Sequence, residues 1–210
     1  MPPVDFRLLV VTDRHQTKRR PLVPLLQRAL AAGSPAIQLR ERDLSAKELV
    51  MLTREVQAAA VSARPQILVN DRIDVALALE GVGVHLRSNS LPIPVARRLM
   101  GPQRLLGVSV HAVDEAVQAE SQGADFIVLG PIYETPSKQT FGPPLGIHTL
   151  EKACRLVRIP IMGIGGVTAV RAREMRCAGA FGVAVIAAIL GADDIESATR
   201  ELLDAVTRVS

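Results

Sequence analysis

The stretch Pro160-Ile-Met-Gly-Ile-Gly-Gly-Val-Thr-Ala-Val-Arg-Ala-Arg-Glu-Met-Arg-Cys-Ala-Gly-Ala-Phe-Gly-Val-Ala-Val-Ile186 passes from one apolar run, through glycines and a polar segment, into a second apolar run. Pro160–Ile164 and Gly182–Ile186 are nearly continuous in hydrophobicity, the pattern of strands covered on both faces in a parallel sheet. Thr168 to Ala178 between them has the length and composition of a crossover helix. The unit is β-α-β, and both neighbouring directions repeat it. Upstream, Leu8–Thr12 precedes a helix-spaced stretch from Leu22 to Ala32 that stops at Gly33. Ala36–Arg40 precedes Ser45–Ser62, where Ser45 and Glu48 form a capping-box signature. Ile67–Asn70 precedes Arg72–Leu79, Val84–Leu86 precedes Pro94–Leu99, and Leu105–Val110 precedes Val113–Gln122. Phe126–Gly130 leads through a long loop to His148–Leu156, and Gly182–Ile186 leads to Ile195–Val209.

Eight such units in 210 residues, about 26 residues each, predict a compact α/β fold, a single (β/α)8 TIM barrel. An open doubly wound sheet of six or seven strands is the alternative. The length sits near the prior for one large domain, and no linker or shift in composition interrupts the alternation, so residues 1–210 read as one domain.

Composition narrows the function. Hydrophobic residues at 48% against 22% charged exclude a disordered chain. The longest apolar stretch, Phe181–Ala192, has 12 residues, short of the roughly 18 needed for a membrane span. Met1–Asp5 lacks a basic leader region, so a cytoplasmic protein is expected and no membrane partner is. Cys154 and Cys177 have neither zinc-site nor disulfide spacing and read as buried small hydrophobes. The net charge of +4 suits an anionic ligand. Four Phe and one Tyr are too few for base-stacking platforms, so nucleic acid is not an expected partner.

In a barrel the chemistry lies where strands end and the following loops begin. Gln38 and Arg40 share one face of a period-two strand and aim an amide and a guanidinium at the mouth; pairing of Arg40 with Glu41 or Asp71 is the structural alternative. Gly163-Ile-Gly-Gly166 and Gly182–Ile186 end the last two strands where barrels often bind phosphate, which makes Gly165, Gly166, Ile186 and Ala187 candidate phosphate ligands; glycines also serve tight turns. The loop Gly130–Gly146 is longer than the usual two to six residues of such a connection. It offers Thr135, Ser137 and Lys138 to phosphate oxygens, or it is a proline-stiffened surface excursion. His111 closes the fifth strand with Ser109 on the same face, as an acid/base or as a structural histidine. His85 reads as structural, and His15 and His148 have no supporting context.

Leu9-Val-Val-Thr-Asp13, Gln38-Leu-Arg-Glu-Arg42, Asn70-Asp-Arg72, Gly107-Val-Ser-Val-His111, Gly123-Ala-Asp-Phe126, Gly130-Pro-Ile132, Gly163-Ile-Gly-Gly166 and Gly182-Val-Ala-Val-Ile186 together resemble the thiamine phosphate synthase/thiazole tautomerase superfamily over nearly the whole chain. The resemblance implies a barrel acting on a thiazole phosphate. It also implies two reactions. The synthase couples a pyrimidine diphosphate to thiazole phosphate and releases pyrophosphate, with Mg2+ on two aspartates. Asp71 matches the first aspartate and Ser90 stands at the second, while Arg42 replaces a lysine and Ala187 a serine. Gln38, Arg40, Asn70, Asp71, Thr135, Ser137 and Lys138 match the synthase pattern. The tautomerase moves a proton on a carboxylated thiazole phosphate without a metal. Ser88, Ser90, Ser109 and the neighbourhood of His111 resemble it, with His111 as the proton carrier. The sequence favours the tautomerase, with the synthase as alternative and a non-catalytic binding relative as a third reading. A homo-oligomer is compatible with a barrel of this size.

Overall fold

In the computed structural model, which describes residues 4–60, 64–135 and 143–208, the apolar runs become eight parallel strands closed in sequence order. They are β1 (Leu8–Val11), β2 (Ala36–Leu39), β3 (Gln66–Asn70), β4 (Val82–Leu86), β5 (Leu106–Val110), β6 (Phe126–Leu129), β7 (Ile161–Ile164) and β8 (Gly182–Val185). Leu9 of β1 lies beside Ala36 on one side and Ala184 on the other, which closes the ring. The outer shell consists of α1 (Leu22–Ala31), α2 (Ala46–Ala59), α3 (Ile73–Leu77), α4 (Ile93–Met100), α5 (Val113–Ser121), α6 (Ile147–Leu156), α7 (Ala169–Cys177), α8 (Ala187–Leu190) and α9 (Ile195–Thr207). Among the described residues, no helix is long and apolar enough to cross a membrane. The open-sheet alternative is excluded by closure.

The strand period of two sorts side chains into two cores. Leu8, Val10, Ile37, Leu39, Val69, Val84, Leu86, Leu106, Val108 and Ile127 face outward and pack under the helices. Leu9, Val11, Ala36, Leu68, Leu105, Phe126, Val128, Met162 and Ala184 face inward and fill the barrel with Phe6. Phe6 meets Phe126 edge-on, with ring centroids 5.5 Å apart, a contact worth about 0.5–1.5 kcal/mol beyond its buried area. Apart from Gln66 at the start of β3, the inward positions are apolar or glycine until the strands near the mouth, where they turn polar.

Local signals set the helix ends. Ser45 and Glu48 make the full capping box on α2, worth about 1 kcal/mol. Helix α2 ends at Ala59, short of the expected extension, and Ser62 lies outside the described residues. Helix α3 is only Ile73–Leu77. Two short elements escape the sequence reading: a 3-10 turn at Arg14–Gln16, capped by Asp13, and α8. Both are about one turn long, too short to show a periodic apolar face. Asp125, in the Gly123–Phe126 motif, is structural: its Oδ2 accepts from the Leu106 N–H at 2.7 Å and from Arg97 at 2.6 Å. That ties β5 to α4 beneath the shell. The expectation of two buried cysteines is corrected: neither is fully buried. Cys154 is half-buried, and burial raises its thiol to about 11, whereas Cys177 is exposed at the end of α7.

Candidate active site

The last inward positions form the floor and rim of the mouth. On β2, Ala36 faces inward, so Gln38 and Arg40 do too. Gln38 is buried and donates its Nε2 to Asn70 Oδ1 at 3.2 Å. Arg40 is fixed through its backbone, whose N–H donates to the buried Thr12 hydroxyl at 2.9 Å. Its guanidinium lies 3.7 Å from Asp13, not from Glu41 or Asp71, and makes no hydrogen bond among the described residues. Burial, and then the charge of Arg42, lowers the Arg40 pKa; the guanidinium stays protonated. Arg42 is itself exposed on the rim. Glu41 turns the other way and is buried, accepting the Arg14 N–H at 3.2 Å.

Asp71 follows β3 in the left-handed region, φ 64°, a conformation that Asp tolerates better than most residues. Its N–H donates to the His85 carbonyl at 2.9 Å, and this turns the carboxylate toward the end of β4. There Oδ2 takes two donors of Arg87, Nε at 2.8 Å and Nη2 at 2.5 Å. Oδ1 accepts the Ser90 hydroxyl, and Ser90 Oγ accepts the Arg87 N–H at 2.8 Å. Ser88 is exposed on the same loop. Arg87 was not among the expected site residues, although the signal existed: it follows the inward-facing His85 by one strand period.

His85 is buried beneath this cluster, and its Nε2 lies 2.8 Å from Ser109 Oγ. Burial drives its pKa down to about 3, so the ring is neutral at physiological pH. Gly107 makes the room: a Cβ there would lie 2.6 Å from the His85 Nδ1 and 2.3 Å from the Phe126 ring. Ser109 therefore serves His85 and not His111. His111 stands exposed at the end of β5, its Nδ1 2.6 Å from the Gly130 carbonyl. A carbonyl only accepts, so Nδ1 carries the proton.

The opposite side of the mouth is backbone. Gly165 and Gly166 have φ 101° and 61°. The stem of the β6 loop lies against them, with the Ile132 N–H on the Ile164 carbonyl at 2.8 Å and the Tyr133 N–H on the Gly165 carbonyl at 3.3 Å. Any Cβ at Gly165 would lie 2.6 Å from Pro131 Cβ, and one at Gly166 would lie 2.5 Å from the Glu134 carbonyl. Close packing thus accounts for both glycines independently of any ligand. Ile186 is half-buried and Ala187 exposed at the start of α8, on the same rim. Tyr133 donates to Glu174 at 2.6 Å, and the Arg171 guanidinium sits 4.6 Å above its ring, so the loop stem is clasped to α7. Thr135 is half-buried at the end of that stem; Ser137 and Lys138 lie outside the described residues.

These residues do not make a two-carboxylate Mg2+ site. Asp71 is the single acid of the pair, both of its oxygens are engaged by Arg87 and Ser90, and a hydroxyl is a weak partner for a cation that favours charged oxygens. Among the described residues no group of three or more His, Cys, Asp or Glu could hold a metal ion.

The thiamine monophosphate synthase family profile matches residues 8–189. The thiamine-phosphate synthase of Moorella thermoacetica is 47% identical over 208 residues, covering 99% of this chain and 98% of that one. The chain belongs to the thiamine monophosphate synthase family. The thiamine-phosphate synthase of Roseiflexus castenholzii is 44% identical over 195 residues, covering 93% of this chain and 86% of that protein. Thiamine phosphate pyrophosphorylase from Pyrococcus furiosus superimposes with a TM-score of 0.86 at 34% identity, covering 96% of this chain and 95% of that one. Membership makes this chain an enzyme of thiamine biosynthesis. It also corrects the expectation of a thiazole tautomerase, since the family relatives are named as synthases. The structure supplies the physical reason that the serines misled: Ser90 is spent on Asp71 and Ser109 on His85.

Proposed function

We propose that this chain is a thiamine-phosphate synthase, coupling hydroxymethylpyrimidine diphosphate to thiazole phosphate and releasing pyrophosphate. The observation that carries this reading is Arg40: a guanidinium held at the mouth by its backbone, with no donor spent on a hydrogen bond among the described residues, above the Gln38–Asn70 pair. Sequence identity to named synthases across the full chain supports it.

In the reaction, the bond between the pyrimidine methylene carbon and the diphosphate oxygen breaks, and its electron pair leaves with pyrophosphate. The thiazole nitrogen supplies the pair for the new carbon–nitrogen bond, so no proton has to move. What the protein must do is orient two anionic substrates and stabilise the charge that grows on the leaving diphosphate. Arg40 and Arg42 offer that charge from β2, while Gln38 and Asn70 present amides to polar ring atoms. Gly165, Gly166, Ile186 and Ala187 line the opposite rim, where we place the thiazole phosphate. Thr135 lies at the stem of the β6 loop.

The test is product analysis. Purified protein given both substrates should form thiamine phosphate and pyrophosphate in equal amounts. Failure to form either, with or without added Mg2+, refutes the proposal.

A further inference from the structure

The Asp71 carboxylate carries a guanidinium where the family resemblance implies a metal ion. We infer that Arg87, braced on Asp71, is the fixed cation that binds the pyrimidine diphosphate in this chain, so that diphosphate binding does not depend on Mg2+. The inference rests on the synthase reading for its substrate and on the geometry of β3 and β4 for its residue.

Three observations lead there. First, Arg87 has donors to spare among the described residues: a guanidinium presents five N–H groups, and two of them go to Asp71 Oδ2. Its side chain is 39% exposed, against 20% for Asp71, so it forms the accessible surface of the pair. Second, it is held in place. Asp71 grips the side chain in a two-pronged contact, and Ser90 accepts the Arg87 N–H while donating to Asp71. A fork ordered before the ligand arrives loses less freedom on binding. Third, it does not act alone. Arg40 faces the same space, close enough that the charges of Arg42 and Arg87 both oppose its protonation. Clustered guanidiniums that disfavour one another are relieved by a multivalent anion, and paired N–H donors match phosphate oxygens. Ser90 fits the same picture: a second carboxylate there would compete for Arg87, whereas a hydroxyl supports the pair without adding charge.

Calorimetric titration with inorganic pyrophosphate, in EDTA and then in MgCl2, tests this on the intact protein. Wild type should bind pyrophosphate in EDTA, with an affinity that Mg2+ changes by less than about threefold. Arg87→Gln keeps a hydrogen-bond donor for Asp71 but removes the charge, and should weaken binding by about 10- to 100-fold, the range expected for a charge-assisted bond. The double variant Arg87→Gly, Ser90→Asp should bind pyrophosphate only with Mg2+, and should bind Mn2+ alone, read by its relaxation of water protons, where wild type does not. Pyrophosphate binding by wild type that requires Mg2+, with Arg87→Gln indistinguishable from it, overturns the inference. If neither substrate pair nor metal yields thiamine phosphate while binding still follows Arg87, the coupling reaction fails and the Arg87 anion site stands.

Discussion

The two sides of the barrel mouth are built by different means. From β2 to β4 the rim is made of charged and polar side chains: Gln38 bonds to Asn70, Asp71 holds Arg87 and Ser90, and Arg40 stands between them with its guanidinium near Asp13. From β6 to β8 the rim is made of backbone, with Gly165 and Gly166 pressed against the stem of the β6 loop. The difference teaches how each side tolerates change. A side-chain rim can exchange one polar group for another while the barrel stays intact. A backbone rim cannot, because its shape is the fold itself.

The sharpest test of that contrast is Gly165→Ala. The new Cβ would enter at φ 101° and within 2.8 Å of the Pro131 Cα, so stability should fall by about 2–4 kcal/mol in denaturant unfolding. A loss under about 0.5 kcal/mol would show that the backbone rim yields as readily as the side-chain rim.

Next in size is Arg40→Ala. The barrel should keep its unfolding midpoint, while kcat/KM for coupling drops by about 10- to 100-fold, the range for losing a charge-assisted bond of about 1.5–3 kcal/mol. Equal loss of stability would make Arg40 a structural partner of Asp13.

Beneath the side-chain rim, His85 gives a pH signature. Its pKa of about 3 in the folded chain lies well below the 6.5 of a free imidazole. The unfolded chain therefore takes up a proton that the folded chain refuses. The stability from His85 is complete above about pH 6.5 and is lost as pH falls toward 3, with a slope of up to about 1.4 kcal/mol per pH unit. His85→Gln should remove that slope between pH 6 and 4, as measured by unfolding at each pH. A slope unchanged in the variant would assign the acid sensitivity to other groups.

The smallest expected effect is at His111, between the two sides. Coupling moves no proton, so His111→Ala should lower kcat less than about threefold, a change under about 1 kcal/mol. A loss of two orders of magnitude would give His111 a direct part in the chemistry.

Much of this was legible in the sequence, for physical reasons. Apolar runs buried on both faces can form little except a parallel sheet between helices, and so eight of them predict the barrel. Period two places Gln38 with Arg40 on the inner face, and the structure agrees. The same rule carried past Leu86 would have placed Arg87 beside His85. Pairings across strands were not legible, because which hydroxyl meets which carboxylate depends on register and loop conformation. Ser90 and Ser109 read as ligands of a substrate, yet each is committed to a neighbour, Asp71 and His85. The glycines after β7 suit an anion by their spacing, and their close approach to Pro131 and Glu134 shows a packing demand that sequence spacing does not reveal.

The most direct measurement of the central claim is the yield of thiamine phosphate and pyrophosphate from purified protein supplied with hydroxymethylpyrimidine diphosphate and thiazole phosphate. The account predicts equal amounts of the two products, cut by about 10- to 100-fold in Arg40→Ala. Wild-type protein that forms neither product at any Mg2+ concentration would contradict it.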